Sequence, residues 1–155
     1  MVNIRQTQRT INFSATLFKK KAEFILEELG YKNFELGIWL TTNKAIQKYN
    51  HLYRNKNQAT DILSFPYHTE LIAGEKIKIK DEEDKNLGDL IISMAYVFNN
   101  KKELPGDFIA RMDRLLVHGI CHLLGYDHIK DKDYKKMLAL ENKLLKNLNN
   151  YFKKS

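Results

Sequence analysis

His118-Gly119-Ile120-Cys121-His122-Leu123-Leu124-Gly125-Tyr126-Asp127-His128 holds three of the chain's five histidines within eleven residues. On a helix, four residues turn the chain by about 400°, so His118 and His122 leave the same face one turn apart. Two imidazoles on adjacent turns can share one metal ion. Gly125 tolerates a left-handed conformation that ends helices, so the chain can reverse there and return His128 to the same point. Three neutral imidazoles suit zinc, which in catalytic sites keeps a fourth position open for water. Packing alone gives no reason for three histidines at this spacing.

Working outward, Phe108, Met112, Leu115, Leu116, Ile120, Leu123 and Leu124 form a wide apolar stripe, and Pro105 fits the first turn. The pattern predicts a central helix of about twenty residues, spanning roughly 30 Å, that carries the histidines. A last helix should begin near Asp131 or Asp133 and present Tyr134, Met137, Leu138, Glu141, Leu144, Leu145 and Leu148, with the tail from Tyr151 frayed. Upstream, Ile4 to Phe13 reads as a strand. Ser14 caps a helix that Gly30 closes near Leu29. Phe34, Leu36, Ile38 and Leu40 alternate as a half-buried strand, and Thr42 or Asn43 starts a short helix. A short strand ends at Pro66. Ile77 and Ile79 alternate with lysines and suggest an edge hairpin over 76–80. Leu87 to Ser93 reads as a buried central strand, followed by a helix to about Lys102. The expected class is α+β: one domain over 1–155, with a mixed sheet of about four or five strands and about five helices, and a zincin-like or metzincin-like three-histidine site on the central helix.

At 155 residues and 43% apolar content, a single core is affordable. No stretch approaches the roughly eighteen apolar residues of a membrane span, and the first residues lack the apolar core of a signal peptide. A lone cysteine, Cys121, excludes an intrachain disulfide, so a cytoplasmic location is expected. A net charge of +7 favours a polyanionic partner.

The histidine spacing is that of metzincin metallopeptidases, which place a glutamate base after the first histidine. Gly119 stands there instead. The stretch 118–128 resembles the H-G-x-x-H-L-x-G-Y-D-H signature of the YbeY family of rRNA-processing endoribonucleases. Tyr53-Arg54, Lys56 and Thr60 to Pro66 resemble that family's Y-R-x-K-D-x-P-T-D-V-L-S-F-P segment, with Asn57 and Ala59 in place of the usual aspartate and proline. Leu87-Gly88-Asp89 resembles its L-G-D strand, and Met137 and Glu141 match positions usual in its last helix. The resemblance implies one zinc per chain on His118, His122 and His128, and a functional arginine at Arg54. It further implies single-strand-specific cleavage in maturation of the 3′ end of 16S rRNA and in ribosome quality control. Its expected partners are rRNA in the small ribosomal subunit and, with it, ribosomal proteins or other assembly factors; no membrane is implied.

Chemistry supports that direction. An attacked phosphodiester gains negative charge at its oxygens, which a guanidinium matches with paired hydrogen bonds, so Arg54 is the candidate clamp. Lys56 reads first as a solvated loop lysine and second as a substrate contact, and Ser64 can face the cleft. Asp127 reads first as a cap for backbone and second as an acceptor for an imidazole. Asp61 and Asp89 read first as turn or strand-end polar groups and second as site residues. Cys121 lies about 100° around the helix from His122 and reads as buried filler; His51 and His68 read as surface residues. Two further readings remain at this point: a metallopeptidase, and a ribosome-assembly factor whose zinc is structural.

Overall fold

A computed structural model describes residues 1–100 and 106–153. In chain order they form β1 (Val2–Gln6), α1 (Ala15–Leu29), β2 (Glu35–Thr41), α2 (Asn43–Arg54), β3 (Ile62–Pro66), β4 (Asn86–Ser93), α3 (Met94–Asn99), α4 (Phe108–Leu123) and α5 (Asp131–Phe152). The expected α+β class is what is found, with four strands in one sheet of order β1-β2-β4-β3. β1, β2 and β4 run parallel, and β3 lies antiparallel to β4 at the edge.

Local chemistry explains most boundaries. The Ser14 hydroxyl accepts from the Leu17 amide at 3.1 Å, and Gly30, at φ 83°, ends α1. Thr42 and Asp107 cap α2 and α4 in the same way, each such cap being worth about 1 kcal/mol. In β2, Leu36, Ile38 and Leu40 point into the main core while Trp39 points to the opposite face, beside Ile91. Gly88, at φ +115°, sits where the β2–β4 register slips; a Cβ there would come within 2.1 Å of the Phe65 carbonyl oxygen. Only glycine fits that bulge.

The two sheet faces are covered unequally. Helices α1, α4 and α5 pack one face, where Met112, Leu116, Val117 and Ile120 of α4 are fully buried. Burying a leucine such as Leu116 stabilises by about 1.5–3 kcal/mol over exposing it. On the other face α2 lays Ile46 over Leu63 and Ile91 and leaves part of the sheet open. Among the described residues no helix is long and apolar enough to cross a membrane.

Four expectations are corrected. The first strand stops at Gln6, because the Gln8 side chain folds back onto Ile11, accepting from its amide at 2.9 Å and donating to its carbonyl at 2.8 Å. The 76–80 alternation is no hairpin. Ile77 is buried in the main core and Lys76 Nζ donates to the Leu29 carbonyl at 3.0 Å, so the segment is pinned to the end of α1. The central helix begins at Phe108 and has 16 residues, about 24 Å. The last helix runs on to Phe152, because Phe152 and Tyr151 pack on Phe24 of α1. The expectations for Pro105 and for a helix reaching Lys102 lie outside the described residues.

Candidate metal centre

The site forms where α4 passes the open edge of β3. Helix α4 ends at Leu123, and Gly125 at φ 90° turns the chain beneath Leu71, whose carbonyl oxygen would lie 2.7 Å from any Cβ at that position. That reversal returns His128 to His118 and His122. The nearest ring nitrogens of the three all lie within 4.8 Å of one another.

The imidazole tautomers follow from their partners. His118 Nδ1 donates to Glu141 Oε2 at 3.1 Å, and His122 Nδ1 donates to the Tyr126 carbonyl at 3.0 Å. Neither acceptor carries a hydrogen, so each neutral ring keeps its proton on Nδ1 and leaves a bare lone pair on Nε2. Those two Nε2 atoms face each other at 3.0 Å. Two lone pairs at that separation repel unless a cation lies between them. Tetrahedral zinc with bonds of about 2.0–2.1 Å sets its ligand nitrogens about 3.3 Å apart, so the donor set fits a divalent ion of that kind. Burial and the neighbouring His118 hold His122 below the usual imidazole range, which keeps it neutral and available as a ligand.

Asp127 caps backbone, the first of its two expected roles. Its Oδ1 accepts from the amides of His128 at 2.6 Å and Ile129 at 3.2 Å, which shapes the turn that delivers His128. The orienting carboxylate is Glu141 of α5, which the sequence placed only as a family position. Cys121 is fully buried, and burial raises its thiol to about 12, so it packs rather than ligates. His51 is exposed, whereas His68 is half-buried and its Nε2 donates to the Asp84 carbonyl at 2.8 Å.

The three histidines share a groove of about 590 Å³ with Tyr53, Arg54, Thr60, Asp61 and the β3 residues Ile62 to Phe65, Ser64 among them. Arg54 is the last residue of α2, and Asn55 in the left-handed conformation turns the chain away after it. Lys56 is exposed and does not line that groove. The loop with the departures at Asn57 and Ala59 is tied down by α2: Gln47 Nε2 donates to Asn57 Oδ1 at 3.1 Å, and Asn50 Nδ2 donates to the Gln58 carbonyl at 2.9 Å.

Gly119 packs face-on to the sheet. A Cβ there would meet Ile62 Cδ1 at 2.8 Å and Leu90 Cδ2 at 2.9 Å. The position that would carry a peptidase's glutamate is therefore occupied by helix–sheet packing.

Comparison with known proteins places this geometry. The family model described as Endoribonuclease YbeY matches residues 1–149. The Endoribonuclease YbeY of Homo sapiens is 37% identical over 145 residues, covering 94% of this chain and 86% of that one. The proteins of the same description from Pelagibacter ubique and Aquifex aeolicus are 37% and 40% identical, covering 92% and 84% of this chain and 85% and 81% of theirs. A solution structure of a Thermotoga maritima protein has the same fold, with TM-score 0.66 over 99% of this chain and 93% of that one, at 22% identity.

Proposed function

The chain belongs to the YbeY endoribonuclease family, a nuclease and hydrolase family, and on that premise we propose that it is a zinc-dependent, single-strand-specific endoribonuclease that matures the 3′ end of 16S rRNA and serves ribosome quality control in the cytoplasm. The observation that carries the reading is the convergence of three imidazoles in a groove that Arg54 also lines.

A divalent ion held by His118, His122 and His128 supplies, when bound, an acidified water near neutral pH and positive charge toward a phosphate oxygen. The chain's own residues do the rest. Glu141 and the Tyr126 carbonyl fix the tautomers of His118 and His122 so that both Nε2 lone pairs face the groove. Arg54 pairs with two oxygens of the scissile phosphodiester and strengthens its hold as charge develops there. A neutral peptide would make no such demand on a guanidinium. Imidazole ligands suit several divalent metals, and zinc is preferred for three neutral nitrogen donors with an open fourth position.

The peptidase reading loses support because Gly119 is wedged against Ile62 and Leu90. The reading as an assembly factor with structural zinc is separated by complementation. A metal-loaded, cleavage-dead variant that restores normal rRNA ends would favour binding over catalysis. The direct test is elemental analysis of purified protein together with cleavage of a short single-stranded rRNA segment before chelation, after it, and after zinc is restored. One equivalent of zinc with chelator-reversible cleavage is expected, and metal-independent cleavage would overturn the proposal.

A further inference from the structure

The sheet face that α2 only partly covers carries a second cavity, of about 510 Å³. Two cross-strand rows build its floor. One is Asn3, Gly37, Asp89 and Phe65; the other is Arg5, Trp39 and Ile91. Tyr49 and Tyr53 of α2 form its wall.

The rings run in sequence toward the metal groove. The Arg5 guanidinium lies 4.3 Å over the Trp39 ring. Trp39 meets Tyr49 edge-on at 5.5 Å, Tyr49 lies parallel to Tyr53 at 6.2 Å and 3°, and Tyr53 meets Phe65 at 5.2 Å. Tyr53 and Phe65 line both this cavity and the histidine groove, so the two spaces adjoin. A packing role does not account for all of this. Trp39, Tyr49 and Phe65 pack in part against the small core of Ile46, Leu63 and Ile91, but Tyr53 lies outside that cluster and is 62% exposed.

We propose that this cavity is a nucleobase subsite, taking an unpaired base of the same RNA strand whose phosphodiester enters the histidine groove. The inference rests on the endoribonuclease reading and adds a second point of attachment to it. Stacking on aromatic rings is how single-stranded nucleic acid is held without regard to sequence, and guanidinium groups add to it. Arg5 also offers charge to the flanking phosphate. Asp89 supplies the polar contact: its carboxylate lies across Gly37, where a Cβ would fall 2.1 Å from Oδ1. An acceptor in that place suits the N–H donors on a base edge. Size and lining match a site that takes one flat ligand and orients it with few polar groups. An apolar peptide would find no use for Arg5 and Asp89 at the two sides of the rings.

Trp39 is the chain's single tryptophan, so its emission reports on this cavity alone. The full-length protein is titrated with a fluorescein-labelled, ten-nucleotide single-stranded RNA carrying phosphorothioate linkages, whose anisotropy reports binding independently. Binding should quench Trp39, guanosine monophosphate should do so more weakly, and ribose 5-phosphate not at all. In cleavage of the unmodified RNA, Trp39→Leu and the exposed Arg5→Gln should each raise KM, the former by roughly tenfold within the about 5- to 150-fold that loss of one stacked base brings, while kcat falls far less. Arg5→Gln keeps the test sound if Trp39→Leu folds poorly. RNA that binds by anisotropy without quenching Trp39, or wild-type KM in both variants, would overturn the subsite and leave the enzyme reading standing. Absence of cleavage by the wild-type protein would instead sink the enzyme reading, and a quench by the oligonucleotide would still support the subsite.

Discussion

Replacing Glu141 by alanine removes the acceptor that holds the Nδ1 proton of His118, 3.1 Å away. Without it, His118 can turn its protonated nitrogen toward the groove and lose its lone pair as a ligand. Loss of such an outer partner costs about 10- to 100-fold in metal affinity, equal to about 1.4–2.8 kcal/mol. Two features place this site toward the lower end. The His118 side chain is 31% exposed, so water can replace the acceptor, and the Tyr126 carbonyl still orients His122. About tenfold weaker binding is therefore expected for Glu141→Ala. Glu141→Gln keeps an oxygen acceptor but loses the charge and should fall between. The helix itself should persist, because Met137 and Leu144 anchor α5. Competition against a chelating dye measures the affinity, and far-ultraviolet circular dichroism checks the fold. Undiminished zinc affinity in a folded Glu141→Ala protein would refute the assignment of Glu141 as the orienting group.

Three other outcomes follow from the same geometry. Lys21 Nζ donates to both Asp113 oxygens, at 3.0 and 2.9 Å, with each side chain 9% exposed; Lys21→Met should cost about 3–5 kcal/mol by urea denaturation at pH 7, and Lys21→Met with Asp113→Leu far less. Burial raises Asp113 above its ordinary 3.8, so its share of stability is full below that value and lost as pH rises through the native one; the deficit of Lys21→Met should accordingly shrink when measured at pH 4. Cys121, fully buried and with a thiol raised to about 12, should resist iodoacetamide in the native protein and react only after unfolding, as mass spectrometry will show. Gly119→Glu should give no peptidase activity in a casein assay and should lower stability by more than the about 1–3 kcal/mol of ordinary overpacking, since it buries a charge against Ile62 and Leu90.

Much of the fold was legible because its determinants are local. Ser14, Gly30 and Thr42 mark helix ends by capping alone, and the alternation of Leu36, Ile38 and Leu40 is that of a strand with one face in the core. Reading failed where partners are distant. The Lys76–Lys80 alternation mimics a strand, but Ile77 is buried by Tyr31 and the end of α1, which no local pattern reveals. Likewise Gln8 ends the first strand through a side-chain turn that competes with the ladder. At the site, the histidine spacing pointed to convergence because His118 and His122 lie one turn apart and Gly125 reverses the chain to bring back His128. The orienting carboxylate comes from 23 residues beyond His118 and carries no spacing signal of its own. Arg5 and Trp39 meet only because β1 and β2 pair in parallel with those two in register, which explains why the ring-lined cavity stayed invisible in the sequence.

The most direct test of the account separates metal from phosphate binding in one experiment: single-turnover cleavage of an rRNA 3′ segment by Arg54→Ala and His122→Ala, each paired with its zinc content. Both variants should fail to cleave, with zinc retained at one equivalent in Arg54→Ala and lost in His122→Ala. Full cleavage by a contaminant-free Arg54→Ala preparation, or zinc retained at wild-type affinity in His122→Ala, would contradict it.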